Sequence, residues 1–209
     1  MKSKNVLWVS ILAFASIFTS CSKDPLADLT DEESRIYITD HDSTVNFSAY
    51  NTFSISDSVA VINNGQSSKE STASDVAFIN AVKSQMQTAG YTLVSRSANP
   101  DVAINVNRIY NTSTGVVSYN NYYDYYGGYW DPYYYGYGGY NYYSPYSYAT
   151  YSIREGALSI DMLDLKNAAA NNRINVIWTG LIRGTGIFNA SNAQQQVSML
   201  FNQSNYLKS

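Results

Sequence analysis

The chain has one cysteine and one histidine, and these two scarcities exclude more chemistry than any other feature of its 209 residues. A lone cysteine forms no internal disulfide and no multi-thiolate metal site, so the fold must stand on its core. His41 lies between Asp40 and Asp42. Alternate residues of an extended chain point to opposite faces, and one histidine with two loop carboxylates falls short of a zinc or iron ligand set. The triplet therefore reads as a solvated turn. A Ser-His-Asp triad would have to use this same histidine, and no serine sits in a nucleophile-elbow sequence. Asp161 and Asp164 are three apart on a predicted strand, which sends them to opposite faces and suits sheet-edge or turn roles. Gly184-Thr185-Gly186 lacks the Gly-Lys-Ser/Thr ending of a phosphate loop, and a strand leaving the sheet accounts for it. The expectation is a protein without metal, cofactor or catalytic site.

Charge is also sparse. Charged residues make up 14 % of the chain and the formal net charge is −3. Nucleic acid is excluded as a partner, because its binding rests on clustered Lys and Arg that neutralise phosphates. The one long apolar run, Val6 to Phe18, is shorter than the ~20 residues a membrane-spanning helix needs. Lys2 and Lys4 precede it and Phe18-Thr19-Ser20-Cys21 follows, so residues 1–20 read as a lipoprotein signal peptide. Cys21 becomes the lipidation site, since the diacylglycerol thioether is made on sulfur. Several palmitate-type acyl chains on one residue give a stable anchor. The predicted location is the cell envelope, lipid-anchored to the outer membrane on its periplasmic or cell-surface face. Residues 21–34, with Pro25, Asp28, Asp31, Glu32 and Glu33, read as a polar tether, and residues 35–209 as a single domain.

Within that domain the periodicity predicts a strand from Ile36, continued by Val45-Asn46-Phe47, and a second extended stretch through Tyr50, Phe53 and Ile55. Residues 56–74 read as a polar loop with a turn at Asn63-Asn64-Gly65. A helix follows, capped by Ser74 or Asp75, with Val76, Ile79, Val82 and Met86 on its apolar face and Gly90 at its C-terminal cap. Strands are predicted at Tyr91 to Val94 and from Val102, where Ala103, Asn105 and Asn107 would form the wet face. Further strands are predicted at Glu155 to Leu165 and at Arg173 to Arg183, the latter with Ile174, Val176, Trp178 and Ile182 on one face. A closing helix from about Asn189 carries Ala193, Val197, Leu200 and Phe201. This order predicts an α+β fold, a mainly antiparallel sheet with two helices packed on one face in two layers.

One insertion interrupts the pattern. Between Tyr119 and Tyr151 lie 16 of the 21 tyrosines, with Trp130, five glycines and two prolines, and no Lys or Arg. It shows no periodicity, and a stretch of this length in a compact domain is functional or disordered. Tyrosine supplies rigid amphipathic rings at low entropic cost. Tyr122, Tyr123, Tyr125, Tyr126, Tyr129, Trp130, Tyr133, Tyr134, Tyr135, Tyr137 and Tyr140 are the candidate binding residues, for stacking on a glycan or gripping an envelope protein. The alternatives are contact with lipid headgroups and a passive low-complexity loop.

Asn46-Phe47-Ser48-Ala49-Tyr50-Asn51-Thr52-Phe53, Pro100-Asp101-Val102, Glu155-Gly156-Ala157-Leu158-Ser159-Ile160-Asp161-Met162 and Val176-Ile177-Trp178-Thr179-Gly180 occur in that order. Together they resemble the motifs of the bacterial envelope lipoproteins grouped as domain-of-unknown-function family 4136. The resemblance implies a lipid-anchored envelope domain without known catalytic residues. Its motif positions read as structural: Phe47, Phe53, Ile160 and Trp178 in the core, Gly156 and Gly180 at bends or close approaches. Asn46 stands where the family usually has Asp, and Thr179 where it often has a basic residue. The function expected is a non-enzymatic binding module that uses its Tyr-rich loop. The alternative is a structural or assembly component of an envelope complex with a passive loop.

Overall fold

The alternation Val102-Ala-Ile-Asn-Val-Asn builds the central strand of a computed structural model that describes residues 29–63, 66–110, 141–143 and 156–207. Nine strands form one sheet among these residues. In chain order they are β1 (Ile36–His41), β2 (Thr52–Ile55), β3 (Val59–Asn63), β4 (Gln66–Glu70), β5 (Thr92–Leu93), β6 (Val102–Tyr110), β7 (Asn141–Tyr143), β8 (Ala157–Asp164) and β9 (Arg173–Arg183). The helices are α1 (Ala73–Thr88), the single turn α2 (Ala168–Asn171) and α3 (Ala193–Asn202).

The predicted antiparallel character holds only for part of the sheet. Strands β1, β9, β8 and β6 pair in that order and antiparallel. The far edge of β6 is shared by β2 and β3, and both run parallel to it. Strand β5 lies parallel to β2, and β7 parallel to the Arg173–Asn175 end of β9. Parallel neighbours need a long crossover, and α1 lies within the connection from β2 and β3 to β6. The sheet is therefore mixed.

Several local expectations also change. The stretch 56–74 is not a loop: β3 and β4 pair antiparallel from Val59↔Glu70 to Asn63↔Gln66. Asn64-Gly65 between two extended runs is a strong hairpin signal, and the polar residues of β4 masked it. Val45–Phe47 does not extend β1. Asn46 instead caps a 3-10 turn over Phe47–Ala49 by accepting from the Ser48 N–H. Helix α1 is capped by Thr72, not Ser74, in a reciprocal box with Asp75, an arrangement that satisfies two otherwise orphaned N–H groups. Ser74 is turned away and donates to the Phe188 carbonyl at 2.6 Å. Val76 is 43 % exposed, while Phe78, Ile79, Ala81, Val82 and Met86 are buried. Gly90 has φ +102° at the helix end, as predicted for a C-terminal cap.

Strand β9 carries the most consequential irregularity. Met162 pairs with Trp178 and Leu163 with Val176, so Ile177 is an extra residue on β9. A bulge of one residue reverses the side-chain alternation beyond it. Trp178 and Ile182 join the core beneath the helices, whereas Ile174 and Val176 lie outside that core and on the other face. The sequence had placed all four together.

Helices α1 and α3 cover the face formed by Phe53, Val102, Ile104, Val106, Leu158, Ile160, Met162, Trp178 and Ile182. Trp178, the largest fully buried side chain, donates from Nε1 to the Ser204 hydroxyl at 3.0 Å. Each fully buried large apolar side chain contributes about 1.5–3 kcal/mol. The only charge cluster on this face is Arg108, held by Asp75 at 3.0 Å and by Glu70 among the described residues. Burial alone would lower the Arg108 pKa, but the two carboxylates and Tyr110 outweigh it and raise it.

The second face differs from its predicted wet character. Ala103, Asn105 and Asn107 are buried there, along with Ile62, Ala157, Leu163, Ile174, Val176 and Leu181. It is largely apolar, and Asn107, Ser159, Asp161 and Thr179 hydrogen-bond to one another within it. Leu29 to Ser34, the end of the predicted tether, is also folded. Thr30 donates its N–H and hydroxyl to Glu33, holding that carboxyl below the usual range. Gln195 of α3 ties Glu32 down at 2.7 Å.

Candidate functional site

The four sequence motifs meet in pairs in and around the central strands, the first with the second and the third with the fourth. In the first, Phe47, Tyr50 and Phe53 are buried and Thr52 is tied to the second motif. Asp101 accepts from the N–H groups of Asn51 and Thr52 at 2.7 and 3.1 Å, and its own N–H donates to the Thr52 hydroxyl at 2.9 Å. Its carbonyl receives the Leu165 and Lys166 N–H groups. Asp101 thus staples β2, β6 and the end of β8 at one corner. Beside it Tyr50 is enclosed near Asp164, and burial together with that carboxylate raises its hydroxyl pKa.

The third and fourth motifs meet at Asp161. It is 0 % exposed, in the middle of the sheet on the second face, not at an edge or turn as its spacing had suggested. Asn107 Nδ2 donates to it at 2.8 Å, Thr179 Oγ1 at 3.0 Å and Ser159 Oγ at 3.4 Å. Cross-strand register produces this cluster, since Asn105, Asp161 and Thr179 pair in one row and Asn107 with Ser159 in the next. A buried carboxylate persists only when hydrogen bonds replace its water. Thr179, where the family often has a basic residue, serves as one of those donors. Asp164 faces the opposite side, as its spacing predicted, and accepts from Asn167 Nδ2 at 2.8 Å. The sequence could not reveal the cluster, because it depends on strand order and register.

Of the Tyr-rich insertion, residues 141–143 are described, and they form β7. That element was absent from the sequence expectation, where the whole insertion lacked regular structure. Tyr143 is 43 % exposed, and the Arg173 guanidinium lies over its ring at 3.9 Å. Arg173 Nε donates to Asn175 Oδ1 at 3.0 Å. An aromatic ring, a guanidinium and a primary amide thus share one exposed corner, the combination that grips flat polar ligands. Arg173 and Asn175 were read only as strand residues. Cys21 and the candidate binding residues Tyr122 to Tyr140 lie outside the described residues.

His41 does not sit in a solvated turn. It ends β1 half-buried, with its ring stacked on Tyr206 at 3.9 Å and Phe47 nearby at 6.1 Å. The C-terminal residues that cover it are distant in sequence, which is why the flanking aspartates misled. Among the described residues no three His, Cys, Asp or Glu side chains gather as a metal site, and no helix is long and apolar enough to cross a membrane. Gly184 and Gly186, both with positive φ, carry the chain out of β9, as expected for a strand leaving the sheet.

The model of the family described as "Domain of unknown function (DUF4136)" matches residues 38–204. A crystal structure, at 1.60 Å resolution, of a DUF4136 family protein from Bacteroides thetaiotaomicron VPI-5482 has the same fold. The match has a TM-score of 0.68 and 24 % identity, over 84 % of this chain and 98 % of that one. No curated protein matches the chain.

Proposed function

The chain belongs to the DUF4136 family, and from that premise we propose that it is a non-enzymatic cell-envelope protein, anchored by lipid on Cys21, whose Tyr-rich segment binds a glycan or an envelope protein. The observation that carries this reading is the corner where β7 of the segment pairs with β9. Tyr143 is exposed there, with Arg173 stacked on it. A ring held by a guanidinium is pre-organised, and less entropy is lost when it stacks on a partner. The segment supplies many more rings and no Lys or Arg, which suits uncharged faces of sugars or proteins over nucleic acid. The lipobox and the apolar leader support the anchoring, and several acyl chains on one residue make such an anchor stable; the outer membrane is the membrane we propose.

A second reading has its own support. The family motifs serve the core, the Asp101 staple and the Asp161 cluster, as a structural or assembly component would require. In-cell crosslinking separates the two. Tagged wild type is compared with a chain whose residues 119–151 are replaced by a Gly-Ser linker, and with Tyr143→Ala/Arg173→Ala. Loss of a defined partner in both variants, at equal abundance, supports the binding module. Unchanged capture by both moves the contact to the folded surface. Cys21→Ser, followed by membrane fractionation and labelled-palmitate incorporation, tests the anchor.

A further inference from the structure

A cavity of about 490 Å³ opens between the Leu29–Arg35 turn and the chain leaving β9, with Asp31, Arg35, Gly186, Phe188, Asn189 and Asn192 in its lining. Its volume falls within the range of small-ligand sites. Arg35 Nε is buried and has no hydrogen-bond partner among the described residues, and among those residues its guanidinium forms no ion pair. A buried donor without a partner costs about 1–3 kcal/mol, and native structures keep few of them without a reason.

The acids of the same turn sharpen the picture. Glu32 is taken by Gln195 and Glu33 by Thr30, and the Asp31 carboxylate has no hydrogen-bond or ion-pair partner among the described residues. Asp31 packs against Gly186, where φ is +64° and a Cβ would lie 2.7 Å from Asp31 Oδ2. The cavity therefore has opposite charges in its lining that do not pair with each other. Asn189 and Asn192 accept from Ser191 through their Oδ1 atoms, so their amide N–H groups remain available.

We propose that this cavity binds a small zwitterion of the phosphoethanolamine type. The phosphoryl oxygens meet the Arg35 fork and the Asn189 and Asn192 amides, and the ammonium meets Asp31. Arginine's planar donors match phosphoryl oxygens bidentately, and a carboxylate complements an ammonium that still carries hydrogens. The same group exists free in solution and as a lipid headgroup. The site is independent of the tyrosine segment and of the anchor.

The test is calorimetric titration of the full chain in detergent with O-phosphoethanolamine, inorganic phosphate and ethanolamine. O-phosphoethanolamine is expected to bind saturably and about tenfold or more tighter than either half. Arg35→Gln should weaken it by about tenfold or more, and Asp31→Asn should reduce it to the affinity of inorganic phosphate. Asp31 is exposed, so that variant keeps the test intact if Arg35→Gln melts early. The absence of saturable binding at millimolar concentrations overturns the proposal, as does equal binding by both variants. Repeating the titration after reconstitution separates the sources. Vesicles containing phosphatidylethanolamine should already fill the site if the headgroup is the natural ligand, whereas phosphatidylcholine vesicles should leave it open. Equal titration in both assigns the site to a free solute.

Discussion

Replacing Gly180 with alanine places a methyl group where the structure has no room. Gly180 lies on β9 under the helix layer, and a Cβ there would stand 2.7 Å from Trp178 Cη2 and 2.8 Å from Leu200 Cδ1. Both neighbours are fully buried, so neither swings into solvent. Overpacking of this kind costs about 1–3 kcal/mol. The loss of glycine's freedom in the unfolded chain offsets about 0.4–1 kcal/mol. The net expectation is a destabilisation of about 1–2 kcal/mol, or a fall in Tm of roughly 2–8 °C for a chain of this size. Urea unfolding followed by tryptophan fluorescence and circular dichroism measures it. A double-mutant cycle makes the reasoning specific. Leu200→Ala alone should cost about 2–5 kcal/mol, but less by about 1 kcal/mol in the Gly180→Ala background, where the vacated space accepts the methyl. Strict additivity, or a stabilising Gly180→Ala, would refute the packing of α3 over β9 described above.

The Tyr91 hydroxyl is buried without a hydrogen-bond partner among the described residues, and burial pushes its pKa up to about 12. Stability from this group is complete below about pH 10, where the unfolded phenol titrates, and falls away as pH rises towards about 12. Tyr91→Phe should be neutral or stabilising by up to about 1 kcal/mol at neutral pH and should lessen the alkaline loss; a marked destabilisation would show that the hydroxyl is bonded. Asp161→Ala should cost about 3–5 kcal/mol, because it strips the acceptor from Asn107 and Thr179 inside the sheet. A change below about 1 kcal/mol in chemical denaturation would mean that water already satisfies the cluster. Thr72→Ala should cost about 1 kcal/mol through loss of the α1 cap, while Ser74→Ala should leave the cap intact; reversed effects in the same assay would restore Ser74 as the cap.

Much of the element order was legible in the sequence. Period-two runs located β6, β8 and β9, the last with its boundaries. Helical spacing placed Ile79, Val82, Met86, Val197 and Leu200 inside, because local periodicity and burial follow from the same geometry. Hydrogen bonds between distant segments could not be read this way. The bulge at Ile177 moved Ile174 and Val176 to the face opposite Trp178, and bulges leave no mark on a period-two count. Asp161 looked like a lone strand carboxylate until register brought Asn107, Ser159 and Thr179 to it. His41 looked wet because its cover, Tyr206, comes from the far end of the chain. Parallel pairing of β2 and β3 with β6 was hidden as well, since adjacency in sequence says nothing about which edge a strand joins. Local pattern is a property of neighbouring residues and was set by the sequence itself. The polar cluster, the β7 corner and the Arg35 cavity join residues that meet only when the sheet closes, and tertiary structure alone decided them.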